Sequence, residues 1–87
     1  MNRINWTKDA LRQLLKIDKR YQKAIREKVN ALESFPNEAL DTKKLRGEER
    51  KWRLRIGCYR IIFEVINRQP RIINIQTIKR RNERTYS

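Results

Sequence analysis

The sequence has no histidine, one cysteine, two glycines and two prolines in 87 residues. Each scarcity excludes something. Without histidine, neither a Ser-His-Asp nor a Cys-His nucleophile can be assembled, and two-histidine ribonuclease chemistry is closed. One cysteine forms no internal disulfide, and without histidine it builds no zinc site. No apolar run approaches the ~18 residues of a membrane span. No basic start followed by an apolar stretch marks a signal peptide. The chain contains no repeat and no low-complexity linker. At this length it is expected to be one domain, spanning 1–87, and cytoplasmic.

What is abundant is positive charge. Lys and Arg number 23 against 10 Asp and Glu, a formal net charge of +13. The excess is uneven. Residues 1–35 hold nine basic and four acidic groups, residues 36–50 four of each, and residues 51–87 ten basic and two acidic. The last segment therefore carries +8 of the +13. Charge at this density points to a polyanionic target, either nucleic acid or an acidic protein.

Periodicity divides the chain into elements. Arg3 to Trp6 reads as a short strand, with Ile4 and Trp6 on one face. Thr7 is a good N-cap, and Asp9 favours the first turn of a helix carrying Ala10, Leu11, Leu14, Leu15 and Ile17. A break at Asp18-Lys19-Arg20 precedes a second helix over roughly Tyr21–Ser34, with an apolar stripe at Tyr21, Ala24, Ile25, Val29 and Leu32. Pro36 ends it. A polar loop is expected through Asp41 and Thr42 to Gly47. The period then becomes two: Trp52, Leu54 and Ile56 alternate with Lys51, Arg53 and Arg55, predicting a half-buried strand with three exposed cations. Gly57-Cys58 reads as a turn, Tyr59–Ile66 as a central strand and Arg71–Ile78 as a third. The expected fold is α+β, in the order β-α-α-β-β-β. A helical hairpin packs on one face of a mainly antiparallel sheet, leaving the other face to the cations.

These residues suit a phosphate backbone. Lys51, Arg53 and Arg55 project together, Arg60 lies across the turn, and Arg80 and Arg81 follow the last strand. Arginine forks grip phosphate bidentately and lysine adds a point charge. Tyr59 and Tyr86 are candidates for stacking on unpaired bases. RNA carries its own nucleophile, the 2′-hydroxyl. Cleavage needs a proton acceptor, charge stabilisation and a proton for the leaving oxygen. Without histidine, the proton carriers must be tyrosine, lysine or carboxylate. Dense positive charge around Tyr86 would favour its phenolate. Glu48 and Glu49 are the carboxylate alternatives. Trp6 and Trp52 read as core aromatics and Cys58 as an incidental turn residue.

The blocks Lys44-Leu45-Arg46-Gly47, Lys51-Trp52-Arg53-Leu54-Arg55-Ile56-Gly57-Cys58-Tyr59-Arg60-Ile61-Ile62-Phe63, Lys79-Arg80 and Tyr86-Ser87 resemble the RelE/ParE superfamily of toxins. The resemblance covers nearly the whole chain and extends to the RelE-type mRNA interferase branch. It implies a toxin that cleaves mRNA in the ribosomal A site. Lys51, Arg53, Arg60, Arg80 and Tyr86 fall on the family's catalytic positions. Tyr86 would be the base for the 2′-hydroxyl and Arg80 the general acid or leaving-group stabiliser. Lys51, Arg53 and Arg60 would hold the phosphate. Lys44, Arg46, Arg55 and Arg81 are candidate RNA contacts. Arg53 stands where the best-known member has lysine, and Glu83 falls between Arg80 and Tyr86.

The resemblance implies no metal, no organic cofactor and no small-molecule substrate. The expected partners are an acidic antitoxin, the ribosome and mRNA; no membrane is involved. Two rival readings stand beside it. A ParE-like inhibitor of DNA gyrase would use the same fold without nuclease chemistry. A non-catalytic module would bind nucleic acid in a salt-sensitive way.

Overall fold

The computed structural model describes residues 1–80. A five-stranded sheet runs in the order β1-β5-β4-β3-β2, with β1 at Arg3–Trp6, β2 at Thr42–Lys44, β3 at Lys51–Ile56, β4 at Tyr59–Ile66 and β5 at Ile72–Arg80. The three long strands form an antiparallel meander, and β1 adds in parallel to the edge of β5. Two helices, α1 at Lys8–Leu15 and α2 at Lys19–Asn30, lie between β1 and β2 in the chain. A 3-10 turn over Ala31–Ser34 continues α2. The expected class and order of elements are observed, with one short strand, β2, added before the meander.

Local chemistry accounts for the boundaries. The Thr7 hydroxyl accepts from the Ala10 amide at 3.2 Å and donates to the Ile75 carbonyl at 2.8 Å, capping α1 and tying it to β5. Asp18 caps α2 by accepting from the Arg20 amide at 2.9 Å. Between β3 and β4, Gly57 adopts φ +55° and Cys58 a negative φ. A positive φ at only the first position of a two-residue hairpin loop favours glycine there.

The core lies between the helices and one face of the sheet. Ala10, Leu14, Ile25, Val29 and Leu32 meet Leu54, Ile61, Phe63, Ile73 and Ile75, all fully buried or nearly so. Phe35 packs edge-on against Phe63 at 5.4 Å and Trp52 at 5.0 Å. Trp6 and Trp52 pack against this core half-buried.

The structure departs from the sequence expectations in four places. The segment read as a polar loop contains β2, which pairs with β3 through Thr42, Lys43 and Lys44. The edge of β3 offers unpaired backbone groups, and even a polar segment can satisfy them. The second helix starts earlier, at Lys19, because Asp18 is its cap. The last strand runs two residues further than read, to Arg80. Finally, Leu11, Leu15, Tyr21 and Ala24, counted in the apolar stripes, are exposed. Short helices on a sheet cover only one narrow arc, here Ala10 and Leu14 of α1 and Ile25 and Val29 of α2.

Candidate nucleic-acid interface

The outer face of the sheet, turned away from the helices, is built by register. Strand partners share a face. Trp52, Leu54 and Ile56 pair with Phe63, Ile61 and Tyr59 on the helix side. Lys51, Arg53 and Arg55 pair with Glu64, Ile62 and Arg60 on the outer side. Arg60 in turn pairs with Lys79. Arg55, Arg60 and Lys79 therefore form a transverse row across three strands. Like charges directly opposite each other destabilise a sheet. In this row Arg60 and Lys79 are both exposed, and an anion bound there would relieve the repulsion.

Arg53 differs from its neighbours. Its side chain is only 13% exposed, so the expected third exposed cation is largely covered. Asp41, just before β2, lies 3.5 Å from the Arg53 guanidinium and 3.7 Å from Arg55 Nε. The Asp41 carbonyl also accepts from the Arg55 amide at 2.9 Å, which anchors this carboxylate beside β3. Arg53 Nε is buried without a hydrogen-bond partner among the described residues.

The face is not uniformly positive. Glu64 stands opposite Lys51. Asn74 donates to it at 3.4 Å, and Asn5 donates to Asn74 at 2.8 Å. This polar line crosses β1, β5 and β4. It borders the cations and fixes one carboxylate among them.

Lys44 and Arg80 fall elsewhere. Lys44 pairs with Trp52 and so belongs to the helix side, whereas Lys43, its neighbour, pairs with Arg53 on the outer face. Arg46 is exposed in the connection between β2 and β3. Arg80 pairs with Tyr59, again on the helix side. There it lines an open cleft of roughly 440 Å³ with Gln13, Lys16, Arg20, Tyr21 and Tyr59. Tyr21 and Tyr59 lie 5.9 Å apart, and the Arg20 guanidinium sits 5.5 Å above the Tyr21 ring. Asp18, at the rim, is held below its ordinary carboxylate pKa by the Arg20 side chain first and the Arg20 amide second. The outer-face row and the Arg80 cleft flank the same end of the sheet, where the Gly57-Cys58 turn lies. Arg81 and Tyr86 lie outside the described residues.

Sequence reasoning did not single out Lys43, Asp41, Glu64 or Lys79 as partners in this face. Lys79 was visible in the Lys-Arg pair ending β5. Lys43 and Asp41 required knowing that β2 exists. Among the described residues, no three His, Cys, Asp or Glu side chains gather in a group able to hold a metal ion. No helix there is long and apolar enough to cross a membrane.

Comparison with known proteins gives this arrangement relatives. The family model described as ParE toxin of type II toxin–antitoxin system, parDE, matches residues 4–85. A chain of the archaeal RelE–RelB complex from Pyrococcus horikoshii is 28% identical, with 94% of this chain and 97% of that chain covered and a TM-score of 0.77. A chain of the RelBE2 toxin–antitoxin complex from Mycobacterium tuberculosis is 25% identical, covering 92% and 98%, with a TM-score of 0.74. The isolated RelE toxin of E. coli shares the fold at 20% identity and a TM-score of 0.78, over 99% of this chain and 90% of that one. No curated protein matches the sequence significantly.

Proposed function

The chain belongs to the ParE toxin family of type II toxin–antitoxin systems, and on that premise we propose that it is a ribosome-dependent endoribonuclease of the RelE type. The observation that carries this reading is the transverse row Arg55–Arg60–Lys79, continued along β3 by Arg53 and Lys51. Aligned like charges at cross-strand distance suit a phosphodiester chain, because each phosphate offsets the repulsion that the row creates.

In the proposed reaction the 2′-hydroxyl attacks the adjacent phosphorus. Tyr86, outside the described residues, accepts its proton. Lys51, Arg53 and Arg60 hold the phosphate and stabilise the extra negative charge of the phosphorane. Arg80, from the other side of the same sheet end, acts as general acid for the departing 5′-oxygen or stabilises it while it takes a proton from water. The first products are a 2′,3′-cyclic phosphate and a 5′-hydroxyl; addition of water opens the cyclic ester to a 3′-phosphate. The ribosome presents the mRNA in the A site. An acidic antitoxin, in the manner of the RelB partners of the similar structures, would neutralise the +13 charge.

The test is toeprinting on translating ribosomes with the wild type, Tyr86→Phe and Arg80→Ala. Wild type is expected to cut A-site codons and both variants to lose cutting. Intact mRNA with wild type would overturn the reading. The matching family model is described as ParE toxin, and the ParE-like alternative, inhibition of DNA gyrase, is the second reading. That one predicts blocked supercoiling that is indifferent to Tyr86→Phe.

A further inference from the structure

We propose that Asp41 is an internal counter-anion, a carboxylate that occupies the place of a phosphodiester between Arg53 and Arg55 and is displaced when RNA binds. The inference rests on the reading of the outer face as an RNA track.

The geometry supplies the reasons. Arg53 and Arg55 are two residues apart on one strand, so their side chains leave the same face about 6.8 Å apart. One carboxylate bridges them. At 3.5 and 3.7 Å its contacts are ionic and too long for strong hydrogen bonds. Arg53 is thus mostly covered and paired with a single distant oxygen, with its Nε–H unmatched among the described residues. A largely covered guanidinium whose Nε–H is buried and unmatched among the described residues favours a closer, bidentate oxyanion.

Asp41 itself is 56% exposed. Its carboxylate can turn into water at little cost, while its backbone stays bonded to Arg55. Asp41 therefore keeps Arg53 aimed at the outer face in the free protein and yields to a stronger ligand. It also lowers the affinity of the face for any passing polyanion. Asp41 is a positioning residue that tunes binding and takes no part in bond breaking.

Dimethyl phosphate, a phosphodiester without a base or sugar, is the probe. It is titrated into the full chain while the Arg53 Nε–Hε resonance is followed by NMR. The wild-type signal is expected to move. Asp41→Asn and Asp41→Ser should both bind about fivefold more tightly, the scale of one ion-pair partner removed. In an Arg53→Lys background, with the Arg55 Nε–Hε resonance followed instead, the same Asp41 substitutions should change affinity far less. An unmoved Arg53 signal overturns the proposal. So does equal or weaker binding by both folded variants. Loss of folding in both variants also overturns it, since Asp41 would then be a structural ion-pair partner. Tighter phosphate binding in a protein that leaves ribosomal mRNA intact would uphold Asp41's role and overturn the nuclease reading alone.

Discussion

Arg80 stands opposite Tyr59 on the helix-covered side of the sheet because β5 carries one extra residue. Ile62 pairs with Thr77 and Phe63 with Ile75, leaving Gln76 without a partner. Such a bulge reverses the facing of everything beyond it. Ile73 and Ile75 are buried before it and Ile78 after it. Lys79 is thereby sent to the outer face and Arg80 to the cleft.

Helix α1 secures that irregularity. The Gln13 side chain accepts from the Ile78 amide at 2.7 Å. Gln13→Ala would leave a part-buried N–H unpaired, at a cost of about 1–3 kcal/mol. Chemical denaturation should register that loss. If Arg80 acts as proposed, cleavage on ribosomes should fall as well, because the bulge sets where Arg80 points.

Lys43 and Lys44 separate face from net charge. Both are exposed lysines on β2, but only Lys43 shares the outer face with Arg53. Lys43→Ala should lower the slope of log affinity against log salt for a single-stranded RNA by about 0.7, one phosphate contact. Lys44→Ala should leave that slope at the wild-type value. Equal slopes for the two variants would show that RNA does not follow this face.

The core has one aromatic keystone. Phe63 is fully buried and meets the edge of Phe35. Phe63→Ala should cost about 3–5 kcal/mol, a large share of the stability of a small domain. At about 4–8 °C per kcal/mol, Tm should fall by more than about 12 °C in a thermal melt.

Asp18 predicts an acid limb. Its folded-state pKa lies below the ordinary 3.8, so its stabilisation is complete above that value and is lost as pH falls through the lowered one. Asp18→Asn should lower Tm at pH 7, with the two melting curves converging in strong acid. A gap that persisted at low pH would show that the charge on Asp18 is not the source.

Alternation along Lys51–Ile56 and the β-branched, aromatic run Tyr59–Ile66 were enough to read two paired strands and their turn. Thr7 and Asp9 marked the first helix. These features are local, because a period of two or 3.6 residues and a capping side chain act within a few positions. The odd-odd-even spacing of Ile73, Ile75 and Ile78 also held the trace of the bulge, but a plain strand reading passed over it. The existence of β2 was not legible, since a three-residue polar edge strand forms only when a neighbouring strand offers its backbone.

The sequence by itself determined the order of every element except β2, the half-buried cationic strand and the concentration of charge in the last 37 residues. Only the tertiary structure decided that β1 joins β5 in parallel, that Arg55, Arg60 and Lys79 stand in one row, that Arg80 turns to the helices and that Asp41 pairs with Arg53. The physical reason is common to all four. Pattern sets which side of its own strand a residue occupies, whereas register and long-range pairing set which residues from distant strands share that side.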